Sequence, residues 1–353
     1  YSSRHRGTRQ VNTTATLFDA GGLIKRPRRR SASVDVKVGD DKVTGVGGVV
    51  LWGPMLDRLN LVGVADERQL RPIGPGGYTG GECYRALVEI LMAGGDVLSD
   101  RSLLEGPTQQ LRGAHVLPSH TTMFRFCAGA DLGRAQKAAA VNRTMLARAW
   151  AMGAGPTGGV VTIDPDATPV GTYGPGKEGS KFSYRGEVGL SPLIGICGET
   201  GDVLAIRARA GNAHPGRGNA GFIRECVAAV PKPVRQTTNL WVRVDSAGYQ
   251  HNVFNTAEEL GAVFTVTAPQ RSNVRAKVRE LATNPDTCWV PALAAETKKG
   301  SEVAETLFEM GQGKSRRLLR MIVRRQRTTA GDQLSFDDLD GWRFHAIVTN
   351  LPG

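Results

Sequence analysis

The chain has 353 residues, 40% hydrophobic and 22% charged, proportions of a folded protein of two or three domains. Its 45 Lys and Arg outnumber 33 Asp and Glu, and the formal net charge of +12 favours a polyanionic partner. Five widely spaced cysteines without a CxxC pair argue against a disulfide framework or zinc site and fit a reducing cytosol, and no apolar run approaches the roughly 18 residues of a membrane span.

Residues 1–36 form a basic Ser/Thr/Arg-rich leader containing KRPRRR (Lys25–Arg30), either an arm for a DNA backbone or an unstructured leader. From about residue 37 to 153 the pattern is helical. GECYRALVEILMAGGD sets Ala86, Leu87, Ile90 and Leu91 on one face, closed by Gly94-Gly95. In LPSHTTMFRFCAGADLGRAQKAAAVNRTMLARAW, Ser119 caps a helix and a Gly-containing turn leads to a second. Two helices so joined fit a helix-turn-helix or a plain bundle.

MGAGPTGG (Met152–Gly159) breaks the pattern and divides a helical domain, 37–153, from a second domain, 154–353. Strands are predicted at Val160–Val170, Lys181–Ile196 and Val203–Arg209. A helix in NAGFIRECVAAV follows, with Phe222, Ile223, Cys226, Val227 and Val230 on one face. Then come a strand in NLWVRVDSAGY, a short helix in AEELGA and a strand in VFTVTAP. This order predicts an α/β fold with a mixed sheet, matching a ribonuclease-H-like core. A strand-forming insert is predicted at about 270–340, before a last strand at Trp342–Thr349. The insert includes KSRRLLRMIVRRQR, whose Lys314, Arg316, Arg317, Arg320, Arg324, Arg325 and Arg327 stand without an acid among them. That run is either a strand with one arginine-coated face or a surface for DNA.

Two aspartates flank a proline in VVTIDPDATPVGTYG, where a strand seldom carries acids. A buried carboxylate needs a partner, and hard divalent cations choose carboxylate oxygen. Asp166 and Asp245 sit on two predicted strands that are neighbours in a ribonuclease-H-like sheet, so both can face one metal pair; spacing alone equally allows a salt-bridged or turn-forming aspartate. Tyr184 and Arg185 in FSYRG either meet a phosphate or pair across strands. His214 in GNAHPGRGN either contacts substrate or shapes its loop. The glycine-rich stretches lack the Gly-Lys-Ser/Thr ending of a P-loop, and no nucleophile elbow is present, which excludes NTP hydrolysis and acyl transfer.

IDPDATPVGTYG, the block from FSYRGEVGL to NAGFI, WVRVDSAGY, LLRMIVRRQR and WRFHAIVTN, taken in order, resemble bacterial insertion-sequence DDE transposases of the thirteen-eighty family over about residues 40–353. The resemblance implies a DNA transposase in which Asp166 and Asp245 are the first two catalytic carboxylates and hold Mg²⁺ or Mn²⁺. It implies double-stranded DNA partners (terminal inverted repeats and target), a homodimer on DNA, and a cytoplasmic, nucleoid-associated protein with no membrane. Asp164, on the same strand face as Asp166, either supports the metal shell or is a turn or sheet-edge acid. The family's third carboxylate, a glutamate on a helix after the last core strand, has no counterpart here, since Glu296, Glu302 and Glu305 lie upstream. A chain cut at Gly353 and an incomplete site are therefore expected. The alternatives are a remnant that only binds DNA and a ribonuclease-H-like nuclease without strand transfer.

Overall fold

Side-chain caps at Thr79, Ser119 and Asp131 start three helices of the amino-terminal region. The computed structural model describes residues 46–70, 77–106, 108–109, 112, 115–173, 176–183, 186–292, 300–311, 313, 316–328 and 338–352; the basic leader lies outside the described residues. The first helices are α1 (Val49–Arg58), α2 (Leu61–Glu67), α3 (Gly80–Met92), α4 (His120–Ala128) and α5 (Leu132–Ala149). Thr79 opens α3 with a capping box: its hydroxyl accepts from Glu82 N at 3.1 Å, and the Glu82 carboxylate accepts from Thr79 N at 2.8 Å. Ser119 caps α4 by accepting from Thr122 N, and Asp131 caps α5 by accepting from Arg134 N. Gly94, at φ +87°, ends α3 in a conformation that favours glycine.

The buried stripe of α3 differs from the apolar face predicted for it. Cys83, Ala86 and Ile90 are buried, whereas Leu91 is 64% exposed. Arg85 and Glu89 are buried in its place because they are paired. Glu89 Oε1 accepts from Arg85 Nε at 2.8 Å, and Oε2 from Arg112 Nε at 2.6 Å. The Arg85 guanidinium also meets Asp57, which His115 Nε2 contacts at 2.9 Å. Burial raises the Asp57 carboxyl, but the hydrogen bond to His115 and the charge of Arg85 outweigh it and hold the group below the usual carboxylate range. This network ties α1, α3 and the segment near residue 112 together beside an apolar core of Leu56, Val64, Leu104, Met123 and Phe126.

The chain divides into two compact units at Gly155/Pro156. In the second, β1 (Val160–Ala167), β2 (Val170–Gly171), β3 (Lys181–Phe182), β4 (Val188–Leu190), β5 (Leu193–Cys197) and β6 (Val203–Arg207) precede α6 (Asn219–Ala229) and α7 (Lys232–Thr237). Then follow β7 (Asn239–Val244), α8 (His251–Glu259), β8 (Val263–Thr267), α9 (Ser272–Thr283), β9 (Val290–Pro291), β10 (Glu302–Met310), β11 (Arg317–Arg327) and β12 (Trp342–Thr349). Nine strands form one mixed sheet in the order β6-β5-β1-β7-β8-β12-β11-β10-β9; β2-β4-β3 form a small second sheet. Strands β1, β7 and β8 are parallel, and the other pairings are antiparallel.

One face of the large sheet is apolar and covered. Ile163, Val242, Phe264, Val348 and Met321, in successive strands, are all fully buried. The α6 helix packs on β1, β5 and β6, α8 on β8, and α9 on β10 and β12. Phe222, Ile223, Cys226 and Val227 of α6 are buried, each large side chain contributing about 1.5–3 kcal/mol relative to exposure. A Cβ at Gly195 would lie 2.2 Å from Cys226 Sγ, so α6 crosses β5 where that strand has no side chain.

Three sequence expectations are corrected. The strand expected to reach Val170 stops at Ala167, and Val170 belongs to the small sheet. The single strand expected over 181–196 is three strands, because Gly186 turns at φ +79° and Pro192 interrupts the backbone donors. The strand-forming insert expected at about 270–340 does hold β9, β10 and β11 but begins with a helix, α9, whose Val274, Val278 and Leu281 fall on one buried face.

Candidate active site

The parallel strands β1, β7 and β8 end side by side, the arrangement in which open α/β sheets present ligand sites. In the β1–β7 ladder Ile163 and Val242 are the last partners, and Asp166 and Asp245 each lie three residues beyond them. The β7–β8 ladder pairs Val244 with Val266, which sets Thr267 next in the row. Pro165, which has no N–H, lies beyond the last β1–β7 partner, Ile163. Alternation puts the buried residues Val161 and Ile163 on the helix-covered face, and Thr162, Asp164 and Asp166 on the other.

Both carboxylates are exposed. Asp166 Oδ1 accepts from Ala167 N at 2.7 Å. Asp245 Oδ1 accepts from Ala247 N at 3.0 Å and caps the 3-10 turn Ser246–Gly248. That turn requires Gly248, where a Cβ would lie 2.2 Å from Val244 Cγ1. Each aspartate is thus oriented through one oxygen, and the Oδ2 of each has no protein partner among the described residues. Ala247 supplies the N–H that orients Asp245.

Asp164 has a different environment. It is on a central strand, which corrects the sheet-edge reading, and it faces Arg243 of β7 at the same 79-residue offset that relates Asp166 to Asp245. Arg243 Nε donates to Asp164 Oδ1 at 2.8 Å, and its Nη2 donates to Oδ2. The hydrogen bond it donates to Asp164 raises the Arg243 guanidinium above its ordinary value against the pull of burial. Both Asp164 oxygens are therefore engaged by protein. Further down the same face Glu199 accepts from Thr162 N at 2.8 Å. Burial raises the Glu199 carboxyl, yet the Thr162 donors hold it below the usual carboxylate range.

The remaining sequence candidates are dispersed. His214 lies on the loop between β6 and α6 and accepts at Nδ1 from Gly216 N at 3.1 Å. Tyr184, Arg185 and Lys314 lie outside the described residues. Strand alternation splits the arginines of β11: Arg320 and Arg324 share the face of Asp166, while Arg317, Arg325 and Arg327 share the opposite face with Leu319, Met321 and Val323. The acids missing from the basic run come largely from the neighbouring strand. Arg316 pairs with Glu309, Arg320 with Glu305 and Arg325 with Glu302, while Arg317 pairs with Glu258 of α8. Arg325 also stacks on Trp289 and Trp342, and Arg327 on Trp342. Arg324 is exposed and has no ion pair among the described residues; it faces His345, whose imidazole is lowered by burial and by that charge.

Arg243, Gln250 and Arg209 escaped the sequence reading. A signal for Arg243 was present, since Arg-x-Asp at 243 and 245 repeats the spacing of Asp-x-Asp at 164 and 166. Among the described residues no group of three His, Cys, Asp or Glu side chains is placed to hold a metal ion, and no helix is long and apolar enough to cross a membrane.

No curated protein matches the chain. Among solved structures it is similar to a piggyBac transposase in a synaptic complex with hairpin DNA, at 12% identity and a TM-score of 0.35. That similarity covers 86% of this chain and 61% of the other, and at so low a score it carries no argument. The family model of the transposase DDE domain, group 1, matches residues 84–352, well over half of the chain. The chain belongs to the group 1 family of DDE transposase domains, whose general chemistry is phosphodiester cleavage and transfer.

Proposed function

We propose that the unit from Pro156 onward is a ribonuclease-H-like catalytic domain acting in the transposition of a bacterial insertion sequence of the thirteen-eighty type. The order β6-β5-β1-β7-β8, with β5 antiparallel between β6 and β1 and with β1, β7 and β8 parallel, supports that core. The observation that carries the activity is that Asp166 and Asp245, both exposed, each lie three residues beyond the last paired residues of the adjacent parallel strands β1 and β7, each fixed through one oxygen and open at the other.

Their donor set fits Mg²⁺ or Mn²⁺, since both offer a hard carboxylate oxygen already oriented by a backbone N–H. Asp166 and Asp245 would hold the ion, and it would supply activation of the attacking oxygen and stabilisation of the leaving oxygen of a phosphodiester. The chain's own residues set the stage. Ala167 N and Ala247 N hold the two carboxylates, and Arg243 keeps Asp164 out of the ligand set. Cleavage frees a 3′-hydroxyl at the element's end, which attacks a target phosphodiester; one P–O bond forms as another breaks. Duplex DNA, as inverted repeats and target, is the partner. The capped helices α4 and α5, joined by a short turn at Gly129, offer a helix-turn-helix for reading the repeats, and two copies of the chain pair the two ends in the cytoplasm.

The test is cleavage of supercoiled plasmid and of labelled duplex by the full chain in Mg²⁺ and in Mn²⁺. Asp166→Asn and Asp245→Asn are expected to lose cleavage and keep duplex binding. Undiminished cleavage by either variant would refute the assignment. Products that are cut and never joined would reduce the reading to a nuclease.

A further inference from the structure

The loop between β6 and α6 is built around the side chain of Arg209. Its Nε donates to Ser191 O at 2.7 Å, and its Nη1 donates to His214 O at 3.2 Å and to Arg217 O at 2.7 Å. Burial, and then the charge of Arg207, lower this guanidinium below its ordinary value. One cation at the start of the loop thus gathers main-chain carbonyls from its second half and from Ser191 between β4 and β5, fixing the segment against the sheet.

A second constraint fastens the loop to the turn that Asp245 caps. Gln250 Nε2 donates to Gly216 O at 3.0 Å and to Ala247 O at 2.7 Å. A Cβ at Gly216 would lie 2.2 Å from Gln250 Nε2 and 2.4 Å from Ala247 O, so only glycine allows the two backbones this close. His214 stands two residues from this latch on one side, and Asp245 stands two residues from it on the other.

The latched loop leaves two donors unspent. Because Gly216 N–H donates to His214 Nδ1, the neutral ring carries its proton on Nε2, and the side chain is exposed. Arg217 is tied into the loop by its main chain alone, its N donating to His214 O at 2.9 Å and its carbonyl accepting from Arg209; its side chain is exposed and has no ion pair among the described residues. Arg207, nearby, is by contrast neutralised by Glu225 at 2.8 Å. Resting on the assignment of Asp166 and Asp245 above, we propose that His214 Nε2–H and the Arg217 guanidinium each grip a phosphate of the DNA strand held at those aspartates. The loop is a rigid backbone clamp, and Gln250 is the positioning residue that sets it against the Asp245 turn.

The test is fluorescence anisotropy of a fluorescein-labelled 30-base-pair duplex titrated with the full chain across a range of KCl concentrations. Arg217→Gln is expected to weaken binding and to flatten the log–log salt slope by about one unit, the release from one phosphate. At His214 two substitutions separate donor from loop shape. His214→Gln keeps a donor at the reach of Nε2, while His214→Asn keeps an acceptor near Nδ1 for Gly216. Glutamine is expected to bind like wild type and asparagine about tenfold more weakly, the scale of one hydrogen bond to a charged group.

The opposite order, with asparagine like wild type and glutamine weak, would make His214 a shaping residue and overturn the proposal. So would an unchanged salt slope in Arg217→Gln, a variant that leaves the Arg209 and Gln250 bonds intact and therefore does not depend on refolding of the loop. If Asp166→Asn and Asp245→Asn still cleave, the catalytic reading itself fails. If they are inactive and the loop variants bind as wild type, only the clamp fails.

Discussion

Replacing Asp164 and replacing Asp166 should give opposite results, although the two lie two residues apart on one strand face. Asp164 is in a two-point contact with Arg243, 2.8 Å from Nε to Oδ1. Unit charges about 4 Å apart interact by about 1 kcal/mol in water and about 4 kcal/mol at an effective dielectric of 20. Arg243 is 65% exposed, so the water limit governs and the pair stabilises the fold by about 0.5–1 kcal/mol. Asp166→Asn removes no ion pair and relieves repulsion from Asp245, so without metal it should leave stability unchanged or slightly raised. Urea unfolding followed by circular dichroism in EDTA, with a double-mutant cycle over Asp164→Asn and Arg243→Gln, measures both. The cycle should give a coupling of about 0.5–1 kcal/mol that shrinks in 1 M salt. Cleavage should survive in Asp164→Asn and vanish in Asp166→Asn. A destabilised Asp166→Asn, or an Asp164→Asn as inactive as Asp166→Asn, would refute the division of roles.

Glu89→Gln should cost the helical unit about 3–5 kcal/mol, because it leaves the buried Arg85 and Arg112 guanidiniums short of a counter-charge. Replacing Arg85, Glu89 and Arg112 together by Met, Leu and Met should cost less than Glu89→Gln alone, as read from urea midpoints; the reverse order would contradict the network's energetics. Burial, with the nearby Glu225, pushes the Cys226 thiol up to about 12, whereas Cys288 is exposed. Alkylation at pH 8 followed by mass spectrometry should therefore label Cys288 and spare Cys226 in the folded chain, and equal labelling would contradict the packing of α6 on β5.

Much of the site's frame is legible in the sequence because it rests on short-range signals. The strands around Ile163 and Val242 announce themselves as alternating apolar residues, and Ser119 and Gly94 mark helix ends by their own chemistry. The apolar face of α6, with Phe222, Ile223, Cys226 and Val227, follows from helical spacing. What the sequence hides are contacts made across the chain. Arg85 and Glu89 resemble solvent-facing residues until Arg112 and Asp57 are brought beside them. The basic run from Lys314 to Arg327 gives no sign of its acids, because Glu302, Glu305 and Glu309 reach it only through the β10–β11 ladder. The α9 helix has a local signal, since Val274, Val278 and Leu281 have helical spacing, but it falls in the stretch expected to form strands. Gln250 has no local signal, as its partners Gly216 and Ala247 meet only where two loops close.

On the proposed function, Asp166 and Asp245 together hold the ion that serves phosphodiester chemistry. Mn²⁺ binding to the full chain, followed by electron paramagnetic resonance of the free ion, tests it without requiring turnover. Binding should weaken by at least about tenfold in both Asp166→Asn and Asp245→Asn, since altering the surroundings of a ligand alone costs 10–100-fold, and it should be unchanged in Asp164→Asn. Wild-type affinity in either Asp166→Asn or Asp245→Asn would contradict the account.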